Sequence, residues 1–477
     1  MRKKTKIVAT ISDRNCDQEF LKSMYKAGMD VIRLNTAHQT HEDTLKVVNN
    51  VRAISDKIAL LLDTKGPEIR TTQAKEQFEV KGGDYLFMAG GPDQLTTREC
   101  VYVSYPNFSN DVPVDSLVLI DDGHLELKVK EKIDGRLKCE VRNTGTIQGR
   151  KSVNIPSVHV KLPTLSNKDR DFIYFAIEHN LDFIAHSFVR NKEDLLEIQQ
   201  ILNENNSKIK LIAKIENQQG VDNIDEILDN CYGIMIARGD LAVEIPQEQI
   251  PGVQKMLMEK CIEARKPVIT ATQMLHSMID NPRPTRAEVS DVANAIYDGT
   301  DAIMLSGETA YGKYPLRAVE TMTQIALQAE KSTKPFRQIS YKVLNNEITA
   351  YLISSAVRAA AELEIEAIIA DTITGRTIRG LAAFRCNRII FAQCYDQRVM
   401  RELALSYGVM ANFIEIRKTN EQFIKNALNL LLERKRVEEN HTVVILGGNF
   451  GPSQGSSFIE ISSVKNMMAK ADCGHEQ

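Results

Sequence analysis

Eight short apolar runs, each ending near polar or charged residues, constrain this chain more than any other feature. They are KIVATI (6–11), DVIRLN (30–35), KIALLLDT (57–64), FIAHSFV (183–189), KIKLIAKIE (208–216), GIMIARGD (233–240), KPVITAT (266–272) and DAIMLSG (301–307). Apolar runs of this length, separated by stretches of helical period, read as buried strands alternating with helices. The helical stretches fall at 17–27, 41–55, 167–180, 191–206, 247–264, 285–298 and 315–330. Ser166 with Asp169, and Thr285 with Glu288, are capping patterns that mark two helix starts. Alternation of this kind predicts parallel strands, and eight units predict closure into a (β/α)8 TIM barrel. An open doubly wound sheet is the alternative, because strand count alone does not prove closure. The polar residues favour the barrel. Arg33 and Asn35 end the second run, Asp63 and Thr64 the third, Ser187 the fourth and Thr272 the seventh. Ser306 and Glu308 follow the eighth, and functional groups of such barrels sit at the carboxyl ends of the strands.

Between the third and fourth runs the texture changes. LVLIDDGHLELKVKEKIDGRLKCEVRN alternates apolar and polar residues around an Asp134-Gly135 turn, as a β-hairpin does. Residues 70–161 therefore read as a small all-β domain inserted in a barrel loop, able to act as a lid that excludes water. The barrel takes 1–69 and 162–335. After a charged connector, EAIIAD, RIIFAQC, NFIEI, TVVILGG and SFIEISSV alternate with helices, so 340–477 forms a separate open-sheet α/β domain. Its first strand runs into Thr372, Thr374, Gly375, Arg376 and Thr377 before a helix, a phosphate cradle or an ordinary cap. A glycine-rich segment, GGNFGPSQGSS, lies near the end and can face it.

Composition removes several classes. A net charge of −3 gives no electrostatic case for nucleic acid or an anionic membrane. The basic start MRKKTKIVATI carries an apolar run too short for a signal or a membrane span. Eight cysteines without a CxxC pattern predict reduced thiols in a cytoplasmic protein rather than a zinc site. None of the nine histidines has HExxH spacing.

The fifth and sixth runs carry the chemistry. One closes on Lys214 and Glu216, the other on Arg238, Gly239 and Asp240, so at one rim two carboxylates meet a lysine and an arginine. Hard carboxylate oxygens suit Mg²⁺ or Mn²⁺, with substrate oxygens completing the octahedron. Lys214 would neutralise charge on a transferring phosphoryl group or an enolate oxygen. Gly239 permits close backbone approach. Thr272 and Ser306 are hydroxyls without an adjacent histidine, which weakens any serine-nucleophile reading. The alternative is a structural ion-pair network, Lys214–Glu216 and Arg238–Asp240.

RLN with His38, LLDTKGPEIR (61–70), HSFVR (186–190), AKIEN (213–217), ARGDLAVEIP (237–246), ATQML (271–275) and NPRPTRAEVSDVANAIYDGTDAIMLSGETAYGKYP (281–315) together resemble the pyruvate kinase family. The resemblance runs from the first strand to the end of the chain. It implies phosphoryl transfer from phosphoenolpyruvate to ADP, giving pyruvate and ATP. By that resemblance Glu216 and Asp240 hold the divalent metal, and Lys214 stabilises the transfer and the enolate. Arg33 contacts phosphate, and Ser187 belongs to the substrate site. Gly239, Asp240 and Thr272 take the substrate carboxylate, while Thr272 and Ser306 lie on the proton path. His38, Arg70 and Lys151 match nucleotide-side residues, Lys151 within a partial match. The β domain matches the family's mobile lid, the 372–377 loop its sugar-phosphate effector pocket, and a homotetramer its usual assembly.

The sequence departs from the family at its K⁺ site. Asn35, Asp63 and Thr64 are present, but the usual Phe-Ser-His-Gly reads Thr36-Ala37-His38-Gln39, and Ala37 offers no side-chain oxygen. Glu68 is the residue that K⁺-dependent members carry. A retained but weakened K⁺ site follows, with water or Thr36 filling the gap. Two rival readings stand beside this one: another Mg²⁺ barrel enzyme of oxoacids, such as an aldolase or mutase, and a catalytically weak paralogue that binds metabolites.

Overall fold

A computed structural model describes residues 2–158, 160–339, 347–416, 419–448 and 455–473. The apolar runs form β1 (Lys6–Thr10), β2 (Val31–Asn35) and β3 (Ala59–Asp63). After an inserted group, β4–β11 between Phe78 and Asn154, come β12 (Phe183–His186), β13 (Lys210–Ile215) and β14 (Gly233–Ala237). β15 (Val268–Ala271) and β16 (Ala302–Leu305) complete the set. All eight pair in parallel, and β1 bonds to both β2 and β16, so the sheet is a closed barrel and not an open one. Alternate residues point inward, and Val8, Leu61, Phe183, Ile212, Met235 and Met304 fill the interior as a dry core. Their neighbours face outward into a second apolar shell beneath the helices. Capping boxes at Thr40, Ser166 and Thr285 fix three helix starts.

All eight strands are shorter than their apolar runs, and two stop three residues early at the carboxyl end. The sixth stops at Ala237, and Arg238–Glu244 is already helix. The fourth stops at His186, and Phe188 takes a left-handed φ of 56°. Each break turns the chain at the rim.

The inserted strands make a six-stranded and a two-stranded sheet around their own apolar core. β8 (Leu125–Ile133) and β9 (Arg136–Val141) are the expected hairpin, with Asp134 and Gly135 at φ 50° and 72°.

The last sheet joins β17 (Ile365–Thr372), β18 (Ile389–Cys394), β19 (Val409–Phe413), β20 (Thr442–Gly448) and β21 (Ser456–Ser463), with β21 antiparallel at one edge. β19 begins three residues before the NFIEI motif. Pairing of Val409 with Ile390 sets that register, and Phe413 and Ile416 are left exposed. Of GGNFGPSQGSS, residues 449–454 lie outside the described residues. This domain docks under the amino ends of the barrel strands. Leu405 enters the lower barrel core, while Arg401 and Arg385 reach Asp182 and Asp301 at 2.6 Å each.

Candidate active site

At the carboxyl end of the barrel, neighbouring strands bring Asp63, Ser187, Lys214 and Glu216 together. The Lys214 ammonium lies 3.0 Å from Glu216 Oε1 and 3.1 Å from Asp63 Oδ1, and donates to Ser187 Oγ at 2.6 Å. Arg33 closes the other side of Asp63, with Nε 2.5 Å from Oδ2. Its Nη1 donates to Thr10 Oγ1 at 3.0 Å. Asp63 is thus the hub between the arginine and the lysine. Burial opposes its ionisation, but Arg33 and Lys214 outweigh burial and hold it below the usual carboxylate value. Burial likewise favours a neutral Lys214, yet Asp63 and Glu216 outweigh it and keep the amine protonated.

Glu216 differs. Burial, helped by the charge of Asp240, pushes its carboxyl up to about 7 against the opposing charge of Lys214. Its Oε2 accepts from Phe188 N at 2.7 Å. Asp240 is exposed and makes no ion pair among the described residues. Two carboxylates therefore share one electrostatic neighbourhood that is short of positive charge even with a lysine in contact. A divalent cation would supply what is missing, and this donor set fits Mg²⁺ or Mn²⁺. No group of three or more His, Cys, Asp or Glu suited to a metal occurs among the described residues, so substrate oxygens would share the coordination.

Arg238 is not at this rim in the sense the sequence suggests. Its guanidinium turns away from Asp240 and grips Asp291 through two contacts of 2.7 Å, donating also to Thr272 O at 2.9 Å. It buttresses the loop after β15. In that loop Thr272 has φ 68°, a left-handed conformation that a β-branched residue rarely adopts. Its hydroxyl accepts from Gly239 N at 2.8 Å and donates to Ala271 O at 2.7 Å, which ties β15 to the helix bearing Asp240. A methyl on Gly239 would meet Thr272 at ordinary contact distance, so the fold itself does not require glycine there. Ser306 is half-buried, and its hydroxyl has no protein partner among the described residues. Glu308 fixes the surrounding backbone by accepting from Ser306 N at 2.7 Å and Leu275 N at 3.1 Å.

The residues matched to K⁺ are mostly engaged. Asn35 Oδ1 accepts from Ala37 N at 3.1 Å, Thr64 O from the Ser187 hydroxyl at 2.7 Å, and Thr36 donates its hydroxyl to Asp63 O at 2.8 Å. On the nucleotide side, Arg70 and Lys151 sit together at the base of the β domain. Arg70 pairs with Glu68 at 2.8 Å, and Lys151 with Asp121 at 3.0 Å. His38 is exposed on the loop after β2 and touches neither. In the third domain Gly375, at φ 76°, donates to Thr372 Oγ1 at 2.8 Å. Thr377 and Ser456 hydroxyls lie 3.3 Å apart, so this loop does face the end of the glycine-rich segment, while Thr374 and Arg376 are exposed.

Thr10 and Asp291 escape a chemical reading of the sequence. Thr10 closes the first apolar run and obeys the same strand-end rule as the others. Asp291 lies within a helix and carries no local signal. Asn154 and Glu244, bonded at 2.8 Å, join the root of the β domain to the helix of Asp240.

A closed parallel barrel with a lysine, two undercompensated carboxylates and an arginine at its carboxyl end has the layout of a barrel enzyme acting on an anionic substrate. Known proteins narrow the class. Residues 2–319 match the family model described as pyruvate kinase, barrel domain, and 351–462 that described as pyruvate kinase, alpha/beta domain. The chain is 48% identical over 469 residues to pyruvate kinase of Borreliella burgdorferi, covering 97% of this chain and 98% of the relative. It is 42% identical to that of Geobacillus stearothermophilus, covering 98% and 82%. The crystal structure of a pyruvate kinase from Cryptosporidium parvum superposes with a TM-score of 0.90 at 38% identity, covering 97% and 96%. The chain belongs to the pyruvate kinase family. It is a phosphotransferase: the phosphoryl group of phosphoenolpyruvate goes to ADP, leaving pyruvate and ATP.

Proposed function

We propose that this reaction runs at the Asp63–Lys214–Glu216–Asp240 rim. The undercompensated pair Glu216 and Asp240 is the observation that carries the reading. They would hold Mg²⁺ or Mn²⁺, which supplies Lewis-acid charge to substrate oxygens. Lys214, kept protonated by its two carboxylates, stabilises charge on the phosphoryl group in flight and then on the enolate oxygen. Ser187 and Asp63 hold the ammonium in place. Arg33 presents its remaining N–H groups to the phosphate, and Gly239, Asp240 and Thr272 form the end of the pocket that takes the substrate carboxylate. Thr272 and Ser306 then position the proton delivered to C3 of the enolate. His38, Arg70 and Lys151 bind the nucleotide, and residues 70–161 close over it as a lid that excludes water. The 372–377 loop takes a sugar-phosphate effector. The chain works in the cytoplasm, which suits seven buried free thiols among its described residues, and assembles as a homotetramer.

K⁺ fits less well than the divalent ion. Ala37 has no oxygen to give and the other donors are already bonded, which supports a weakened site. The test is pyruvate formation from phosphoenolpyruvate and ADP. Activity should vanish with EDTA, return with Mg²⁺ and rise with KCl. Rates flat from zero to saturating KCl would remove the K⁺ site. Tight phosphoenolpyruvate binding without turnover would overturn the catalytic assignment.

A further inference from the structure

Lys57 stands just before β3, at the barrel end opposite the catalytic rim, and reaches across the seam to the third domain. Its ammonium donates to Asn412 Oδ1 at 2.9 Å and to Ala411 O at 3.1 Å, both on β19. Arg434, just past the helix Asn420–Glu433, donates to the same Asn412 oxygen. Two cations therefore share one neutral amide oxygen, and no carboxylate pairs with either among the described residues. Asn412 is buried and Lys57 half-buried. An amide oxygen has no net charge with which to offset two positive groups drawn partly out of water. Lys214 makes the contrast, since its buried ammonium has two carboxylates in contact. Burial first, and Arg434 second, lower the Lys57 pKa to about 8, so a substantial share of the amine is neutral near physiological pH. A neutral lysine amine is a nucleophile, and this one lies beside a guanidinium that has no anion to bind. An adduct that only neutralised the lysine would leave Arg434 unpaired. One that made it an anion would satisfy both sides of the seam.

We propose that Lys57 is a carbamylation site, taking CO₂ on Nζ to form a carbamate that pairs with Arg434 and ties the barrel to the third domain. The nitrogen lone pair attacks the carbon of CO₂ and forms the N–C bond. One C=O π pair moves onto oxygen, and a proton leaves Nζ for solvent. The nitrogen keeps one N–H for an acceptor on β19, and the carbamate oxygens meet the guanidinium fork. The test is to equilibrate the full-length protein with isotopically labelled bicarbonate at about pH 8, alkylate it with triethyloxonium and digest it. Mass spectrometry should find the trapped carbamate on Lys57 at least about tenfold above the mean of the other lysines. Occupancy should fall at least about tenfold in Arg434→Gln and recover in Arg434→Lys. The wild type should melt higher with bicarbonate than without it at equal ionic strength, and Lys57→Arg should show no such difference. Basal turnover should be unchanged in these variants. Label on Lys57 no greater than on the other lysines would overturn the site. Occupancy unchanged in Arg434→Gln would overturn the pairing, and a wild-type melting temperature indifferent to bicarbonate would overturn the tie between domains.

Discussion

Both ends of the barrel bury carboxylates, and they do so in opposite ways. At the amino end, Asp30, Asp182 and Asp301 each stand directly before a strand and accept the N–H of a residue in a neighbouring strand. Ile7 N, Leu60 N and Val268 N are the donors, at 2.8, 2.8 and 3.1 Å. Each aspartate then meets a cation: Lys3 for Asp30, Arg52 and Arg401 for Asp182, and Arg385 for Asp301. Each of these three aspartates has its cation within the chain. At the carboxyl end Asp63 is similarly matched, but Glu216 and Asp240 are left short of positive charge. One end closes the electrostatic account inside the protein and so holds the third domain in place. The other leaves it open, as the metal and phosphorylated substrate proposed for that rim would require. A fold that satisfied both ends would be a more stable protein without a catalyst.

Substitutions at the two ends should therefore separate activity from stability. Lys214→Met should lower kcat about a thousandfold, as loss of a group acting on transition-state charge does. Its melting temperature should stay near that of the wild type, because Glu216 can take up a proton and Asp63 keeps Arg33. Steady-state kinetics with thermal denaturation checks both, and a large loss of stability would erase the contrast. Asp182→Ala should do the reverse. It strands Arg401, Arg52 and Leu60 N and should destabilise by about 3–5 kcal/mol, with kcat per folded molecule little changed. Denaturant titration measures it, and a variant as stable as the wild type would mean the floor carries no such load.

His186 gives a smaller effect with a pH signature. Burial lowers its pKa to about 4, and Thr64 Oγ1 lies 3.2 Å from Nδ1. Between pH 6.5 and 4 the unfolded chain binds a proton there that the native state refuses, so stability falls as pH falls. The contribution is about 3 kcal/mol across that window. His186→Asn should flatten the acid limb of stability against pH, and an unchanged limb would show that other groups set it. The smallest effect belongs to the tie between the β domain and the barrel. Asn154→Ala removes one hydrogen bond to Glu244 and should change kcat or KM by about fivefold, the equivalent of about 1 kcal/mol. No change would mean the contact does not bear on closure.

Much of this was legible in one dimension. Strands and helices of the barrel followed from apolar period and from caps such as Ser166–Asp169, because both are local. The carboxylate pair Glu216 and Asp240 followed from strand ends that a core cannot hold. Arg238 was misread because its partner, Asp291, stands 53 residues on and has no sequence signal of its own. The third domain's β19 was placed late because NFIEI is as apolar as the true strand, and only pairing with β18 selects Val409–Phe413. Asp30 and Asp301 were within the quoted runs, DVIRLN and DAIMLSG, and Asp182 stood just before FIAHSFV, yet nothing in one strand reveals that its neighbour's N–H needs a cap.

The chain alone thus determined which residues lie buried, where strands stop and which chemistry gathers at those stops, since periodicity and desolvation act residue by residue. Tertiary structure decided which charge meets which. Partners separated by tens to hundreds of residues compete for the same cations, and only the closed barrel settles that Asp63 takes both Arg33 and Lys214 and leaves Glu216 and Asp240 undercompensated.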